Sequence, residues 1–293
     1  MPLQKNTFVP CINREGTAYD NEGGWFDCNL IRFRAGRPEK FGGWGKLLNA
    51  TYQGTARALH NFISLAGTKY LGIGTHFKYY ITENNDAFND ITPIRKTVGA
   101  GQTDTTATTF AKVANDDATI TVTNNSHGAV QNDFVTFSGA ASLGGNITAA
   151  VLNQEYQIAT VTDGNTYTIE AKDTSGNTVL ANSSDSGTGG GSVVSTYQIN
   201  TGLDVFVSST GWGANSWGSS GWGSTTPLSD TNQLRIWTHD NYGEDLILYV
   251  RGGGVYRWVE NNGTSTRASL LSSATGANQV PTAALQVLTS VVD

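Results

Sequence analysis

The chain has 293 residues, a formal net charge of −6 and only 14% charged residues. Its 35 glycines and low charge argue against a long-helix protein, in which Ala, Leu, Glu and Lys dominate, and favour many short strands joined by tight turns. The acidic balance also argues against attractive binding to a nucleic-acid backbone, although a mildly acidic wall would repel phosphates and let DNA slide through a passage.

Residues 1–45 are predicted to form an extended N-terminal arm with little core of its own. The run 30–34 alternates apolar and basic residues, which is typical of a strand with one face in water, and Gly36-Arg37-Pro38 favours a turn after it. We expect the arm to lie against other subunits, and the alternative is a mobile terminus. Its candidate interface residues are Trp25, Phe26, Arg32, Arg34, Arg37 and Trp44.

Two stretches of the chain share one pattern of three short antiparallel strands. The first copy covers residues 56–63, 69–74 and 77–81, the second covers 233–238, 244–250 and 253–258, and 284–290 resembles the start of a third. Such units are typical of β-propeller blades, which bury their faces against neighbouring blades. The sequence therefore predicts an all-β fold with a partial or complete β-propeller-like body in 46–104 and 197–293. An ordinary β-sandwich is the alternative.

Residues 105–181 interrupt the two copies and are predicted to form an inserted small β-barrel or sandwich. Residues 118–123 alternate cleanly, and the Asp163-Gly164 step between two alternating runs is a strong hairpin signal. Residues 182–196 follow as a linker rich in Gly and Ser, flexible by composition.

A Trp-Gly step recurs every five residues between 211 and 223, at Trp212, Trp217 and Trp222. Five is neither a helical nor a strand period. Three large aromatic rings on a glycine-rich loop prefer to leave water, so we expect them to pack on the body or on a neighbouring subunit. Stacking on a sugar is the alternative.

The sequence contains none of the spacings that we associate with catalysis, a metal or a cofactor, and we expect no cofactor. Cys11 and Cys28 do not have zinc-site spacing and are predicted to be free thiols. His127, which precedes a glycine, is interpreted as a satisfied turn residue. No signal peptide or run of 18 apolar residues is evident, so we expect assembly in the bacterial cytoplasm with no membrane anchor.

Three motifs in the arm resemble the start of a family of virion proteins of tailed bacteriophages. They are residues 13–17, 22–29 and 32–40, and the Trp-Gly loop with residues 234–246 is similar to the middle of that family. The family comprises tail hub, nozzle or packaged-DNA-stabilisation proteins of short-tailed phages. The insert resembles a small β-barrel module found in many phage proteins. Family members usually continue well past the third blade.

The resemblance implies a non-enzymatic structural protein of the virion tail: a hub, nozzle or head-to-tail connector. It implies a ring of identical subunits, for which we expect six-fold symmetry, in contact with portal, adaptor and other tail proteins. Packaged double-stranded DNA would pass through the channel without sequence-specific binding and would be retained until ejection. The rival interpretation is an outward-facing receptor- or carbohydrate-binding tail protein. A tail glycosidase is disfavoured because the sequence shows no paired-acid constellation.

Overall fold

The computed structural model describes residues 9–17, 19–43, 45–46, 48–205, 234–282 and 286–290. The chain forms two compact units, residues 1–49 and residues 50–293. Among the described residues, strands provide nearly all of the regular structure, and the one α-helix, α1 (Ala149–Leu152), is a single turn. The predicted all-β class is confirmed.

The first unit contains a β-hairpin of β1 (Ile31–Arg34) and β2 (Arg37–Lys40). Ala35 and Gly36 form its two-residue loop, and both have positive φ, 48° and 75°, as a type I′ turn requires. The turn thus comes one residue earlier than the sequence predicted. Pro38 lies within β2, where its missing N–H is tolerated because β2 is an edge strand.

The second unit contains 15 further strands in its described residues. In chain order they are β3 (Ala56–Ile63), β4 (Lys69–Thr75), β5 (Tyr79–Glu83), β6 (Asn89–Asp90), β7 (Ile94–Gly99), β8 (Thr108–Lys112), β9 (Thr119–Asn124), β10 (Phe134–Ser138), β11 (Glu155–Val161), β12 (Thr166–Glu170), β13 (Val194–Gln198), β14 (Trp237–Tyr242), β15 (Asp245–Val250), β16 (Val255–Trp258) and β17 (Ser269–Leu270).

Two four-stranded antiparallel meanders form a propeller-like pair of sheets. The first blade has the order β3-β4-β5-β6 and the second has the order β14-β15-β16-β17. One apolar core joins them, and it includes Tyr79, Ile81, Trp237, Leu248 and Trp258. The predicted repeat therefore exists as two packed sheets of the same topology, although β14 begins four residues later than predicted.

A close approach of backbone to ring fixes the two blades together. Trp237 Nε1 donates a hydrogen bond to the Thr75 carbonyl at 2.8 Å. A Cβ atom on Gly74 would lie 2.6 Å from Trp237 Cδ1, so a glycine is needed where the indole crosses β4. The Tyr79 ring meets the same indole edge-to-face at 5.1 Å.

The remaining strands form a curled seven-stranded sheet in the order β7-β13-β10-β11-β12-β9-β8. Its core is rich in aromatic rings, among them Phe110, Phe137, Tyr156, Tyr167 and Tyr197. The hairpin predicted at Asp163-Gly164 connects β11 to β12. Strands β7 and β13 lie outside residues 105–181 but extend the same sheet, and the division of the chain into domains stays a prediction.

Residues 182–191 differ from the flexible connection that their composition suggests. Asp185 is buried, and its carboxylate accepts hydrogen bonds from the backbone N–H groups of Gly145, Asn146, Ile147 and Asn182 at 2.8–3.1 Å. A Cβ atom on Gly189 would lie 2.4 Å from a Phe110 ring atom. Glycine is therefore required at position 189 for close packing. Composition alone cannot distinguish a glycine that serves close packing from one that makes a linker flexible.

Candidate functional site

The arm has no buried residue in its described part (residues 9–17, 19–43, 45–46 and 48–49). Large apolar side chains instead face outwards, with Tyr19 at 94% exposure, Leu30 at 63% and Phe41 at 48%. A segment with no core of its own cannot offset the entropy of ordering its backbone unless it packs on another surface. The arm is therefore a candidate interaction surface.

Three of the predicted interface residues, Trp25, Phe26 and Arg32, contact other residues of the arm. Trp25 meets Phe33 edge-to-face with centroids 6.0 Å apart. The guanidinium of Arg14 lies 5.8 Å from the Phe26 ring. Arg32 Nε donates to Glu39 Oε2 at 3.0 Å across the hairpin. These contacts hold the local shape of the arm.

Arg34 and Arg37 lie directly opposite each other across the hairpin. Neither makes an ion pair with a described residue. Like charges in facing positions destabilise a hairpin, so this arrangement favours an anionic partner surface. Residues 1–49 contain seven Lys or Arg and five Asp or Glu, a net charge of +2, whereas residues 50–293 contain 11 and 19, a net charge of −8.

Trp44, Trp212, Trp217 and Trp222 lie outside the described residues. Their assignment to an interface stays a prediction.

A second exposed apolar surface, on the first blade, was missed by sequence reasoning. Strand β3 alternates in burial along its whole length, and Leu59 and Ile63 on its outer face are each 64% exposed. Leu65, just beyond the strand, is 93% exposed. On the second blade, Leu271, Val280 and Val287 pack against the corresponding apolar cluster. The alternation of residues 56–63 indicated a strand with two different faces. It could not show which of the two faces packs against another part of the protein.

An ion-pair junction of five side chains, also missed, joins the first blade, the seven-stranded sheet and the β16–β17 connection. Lys78 Nζ, almost fully buried, donates to Asp90 Oδ2 at 2.9 Å and to Glu155 Oε1. Arg267 contacts the same two carboxylates, at 3.1 Å and 3.7 Å. Gln198 Nε2 donates to Asp90 Oδ2 at 3.2 Å and Glu155 Oε2 at 2.6 Å.

The charges in this junction neutralise each other. Burial would raise the pKa of Asp90, but Lys78 and Arg267, with a hydrogen bond from Thr92, hold that pKa below its ordinary value. Asp90 is thus ionised at neutral pH, and both carboxylates are engaged by Lys78, Arg267 and Gln198, which suits a structural clamp.

Two histidines meet where β3 and β14 run side by side. The rings of His60 and His239 lie 4.6 Å apart, and His60 Nε2 donates to Asn241 Oδ1 at 2.5 Å. Burial, with the nearby His60, lowers the pKa of His239 to about 4, so His239 is neutral at pH 7. The two rings are tilted by 41° to each other and serve packing between the blades.

His127 has the structural role that its sequence context indicated. Its Nδ1 accepts the backbone N–H of Ala129 at 3.0 Å, and its Nε2 lies 3.0 Å from the Asp163 carbonyl. Both ring nitrogens are therefore satisfied.

The adjacent acids Glu244 and Asp245 have separate roles. Glu244 Oε1 accepts the Leu65 backbone N–H at 2.6 Å, and Asp245 pairs with Arg257. Within the described residues no group of three or more His, Cys, Asp or Glu could hold a metal ion. Cys11 and Cys28 are free. No helix of the described chain has the length and apolar character needed to cross a membrane.

Comparison with known proteins does not identify a family for this chain. No protein-family model and no curated protein matches the chain. Among solved structures, a phage phi92 endosialidase is similar at 12% identity over 69% of this chain, with a TM-score of 0.23. The chain spans only 27% of the length of that protein. A likeness this weak carries no argument about fold or activity.

Proposed function

We propose that the chain is a structural component of a bacteriophage tail, a hub, nozzle or head-to-tail connector that forms a ring around the DNA channel. The observation that carries the proposal is the arm, whose described residues expose apolar and unpaired basic side chains and bury none. The resemblance of its motifs to tailed-phage virion proteins supports the same assignment.

The charge distribution supports contacts between identical copies. Residues 1–49 have a net charge of +2 and residues 50–293 a net charge of −8, which favours binding of the first unit of one copy to the second unit of the next. Repeated around a closed ring, such a head-to-tail contact uses both surfaces of each subunit. Six-fold order, and contact with portal, adaptor and other tail proteins, belong to the proposal.

The exposed face of the first blade supports contact with another subunit or protein. A propeller blade buries both faces, yet the first blade leaves Leu59 and Ile63 in water. Exposed apolar strand faces of this kind mark interaction surfaces. In the virion, the mechanism would be mechanical: a rigid β-rich wall of acidic charge that holds packaged DNA without binding it and lets it slide at ejection.

The proposal predicts that charge reversal in the arm blocks assembly. In Arg34→Glu/Arg37→Glu, both side chains are exposed and unpaired, so the subunit should fold normally, while the proportion of rings should fall at least about tenfold. Native mass spectrometry measures the proportion of subunits assembled in rings. The exposed Lys69→Glu on β4 is the matched control and should assemble normally.

The triple variant Trp212→Ala/Trp217→Ala/Trp222→Ala should also lose rings while remaining folded. Rings at normal yield from both variants would contradict the proposed contacts. Wild-type binding on a glycan array that disappears in the triple variant would favour the rival, carbohydrate-binding function.

A further inference from the structure

Three arginines converge on one cavity of about 600 Å³ in the body. Arg95 comes from β7, Arg235 precedes β14 and Arg251 lies in the turn between β15 and β16. The wall between them includes Asn200, Thr201 and Tyr256. The volume lies in the range of sites that bind small molecules.

None of these three guanidinium groups has an ion-pair partner among the described residues, whereas the other three arginines of residues 50–293 all do. Arg57, Arg257 and Arg267 each pair with a carboxylate. Half-buried charges in proteins are normally paired, and Arg95 and Arg235 are both half-buried. Their lack of an ion-pair partner, at a cavity that the exposed Arg251 also lines, indicates a missing anion.

The hydrogen bonds of two of these arginines fix their places without neutralising them. Arg95 Nη1 donates to the His127 carbonyl at 2.9 Å, while its Nε and Nη2 have no partner. Arg235 Nη2 donates to the Asn200 carbonyl. Carbonyl acceptors orient a guanidinium but leave its full positive charge.

Glycine at position 202 makes room for Arg235. A Cβ atom there would lie 2.5 Å from Arg235 Cβ and 2.6 Å from its Nε. A residue with a Cβ atom at position 202 would therefore clash with the Arg235 side chain. Burial also lowers the pKa of Arg235 to about 10, which still leaves it charged at neutral pH.

The nearby acid, Asp133, does not satisfy these cations. Its Oδ1 accepts the Thr201 N–H at 2.7 Å and the Thr201 hydroxyl at 3.1 Å, and its Oδ2 accepts the Val130 N–H at 2.9 Å. Even with Asp133 ionised, three cations against one anion leave the cavity with a net charge of +2 in a chain of net charge −6.

We propose that this cavity binds a small oxyanionic ligand, whose carboxylate or phosphate group lies among Arg95, Arg235 and Arg251. Planar guanidinium groups bind both oxyanions through paired N–H donors. The side chains of Asn200, Thr201 and Tyr256 supply neutral hydrogen-bonding groups for the rest of the molecule. This site is independent of the arm and of ring formation.

Calorimetric titration of the full chain tests the proposal with two probes, glucuronate for a carboxylate and inorganic phosphate for a phosphate. We expect saturable binding of at least one, with Kd of about 1 mM or tighter. Glucose, which lacks the carboxylate, and sodium chloride at the same ionic strength should not bind. The probe that binds identifies the oxyanion.

Arg251→Gln should weaken binding at least about tenfold, because it removes one charge-assisted contact. Arg251 is exposed, so the variant should keep the unfolding temperature of the wild type. Arg37→Gln, which removes an equal charge from the arm, should bind as the wild type does. No saturable binding of either probe, or equal affinity in Arg251→Gln and the wild type, would overturn the proposal.

Discussion

Replacing Lys78 by methionine should lower the free energy of unfolding by about 3–5 kcal/mol, because a buried ion pair that loses one partner leaves an uncompensated charge. Methionine keeps most of the volume, so the loss reports on charge and not on a cavity. The Lys78 ammonium lies 2.9 Å from Asp90 and 4.2 Å from the Phe134 ring centroid, and the Lys78 side chain is only 4% exposed. Equilibrium denaturation in urea measures the change.

Lys96→Met is the matched control. Lys96 pairs with Asp104 at 3.0 Å, but both side chains are more exposed, and a pair of this kind contributes about 0–1 kcal/mol. A loss at Lys78 no greater than the loss at Lys96 would contradict the clamp that we assign to the ion-pair junction.

The dependence of stability on pH in acid provides a second test of the ion-pair junction. The pKa of Asp90 is lower in the folded protein than its ordinary value of 3.8, so Asp90 contributes stability above that pH and loses the contribution as the pH falls through its folded value. The methionine variant lacks the cation that lowers this pKa. Its stability should therefore depend less on pH below about 4 than that of the wild type.

Asp185→Asn should cost about 2–4 kcal/mol, the second largest effect that we expect. The carboxylate accepts four backbone N–H groups, and an amide of the same shape offers one acceptor oxygen and turns an NH₂ group towards donors. Burial would raise the pKa of Asp185, but these N–H groups hold it below its ordinary value, so the charged form is the one that they stabilise.

Asp173→Asn provides the comparison for this variant. Its carboxylate also accepts backbone N–H groups, from Ser175 and Asn177 at 2.8 Å, but in an exposed turn where water replaces lost bonds. Its effect should be clearly the smaller in thermal unfolding. Equal effects would mean that Asp185 does not organise the segment 182–191.

Local sequence features predicted local structure well. The alternation in β3 and the turn at Asp163-Gly164 depend only on neighbouring residues in the chain. Strand β3 and the hairpin of β11 and β12 both lie where we expected them. The start of β14 was misplaced because residues 233–236, just before the strand, also alternate polar and apolar side chains. Trp237 belongs to the strand because its indole reaches Thr75, a contact across 162 positions.

The candidate sites depend on contacts that no local pattern encodes. Lys78 meets Glu155 across 77 positions, and Arg267 meets Asp90 across 177. The arginine cavity likewise combines Arg95 with Arg235 and Arg251, which lie far from it in the chain, and each of these arginines alone resembles a solvated surface residue. Charge composition established that the chain as a whole is acidic, but only the fold reveals which cations lack ion-pair partners among the described residues.

Labelling the chain with a small tag and imaging intact particles tests whether the protein belongs to the phage tail. We expect a ring of density at the head-proximal or distal end of the tail tube, centred on the DNA channel and built from several copies. A purified chain that remains a stable, solitary 31.1 kDa molecule, with no label on any part of the particle, would contradict it.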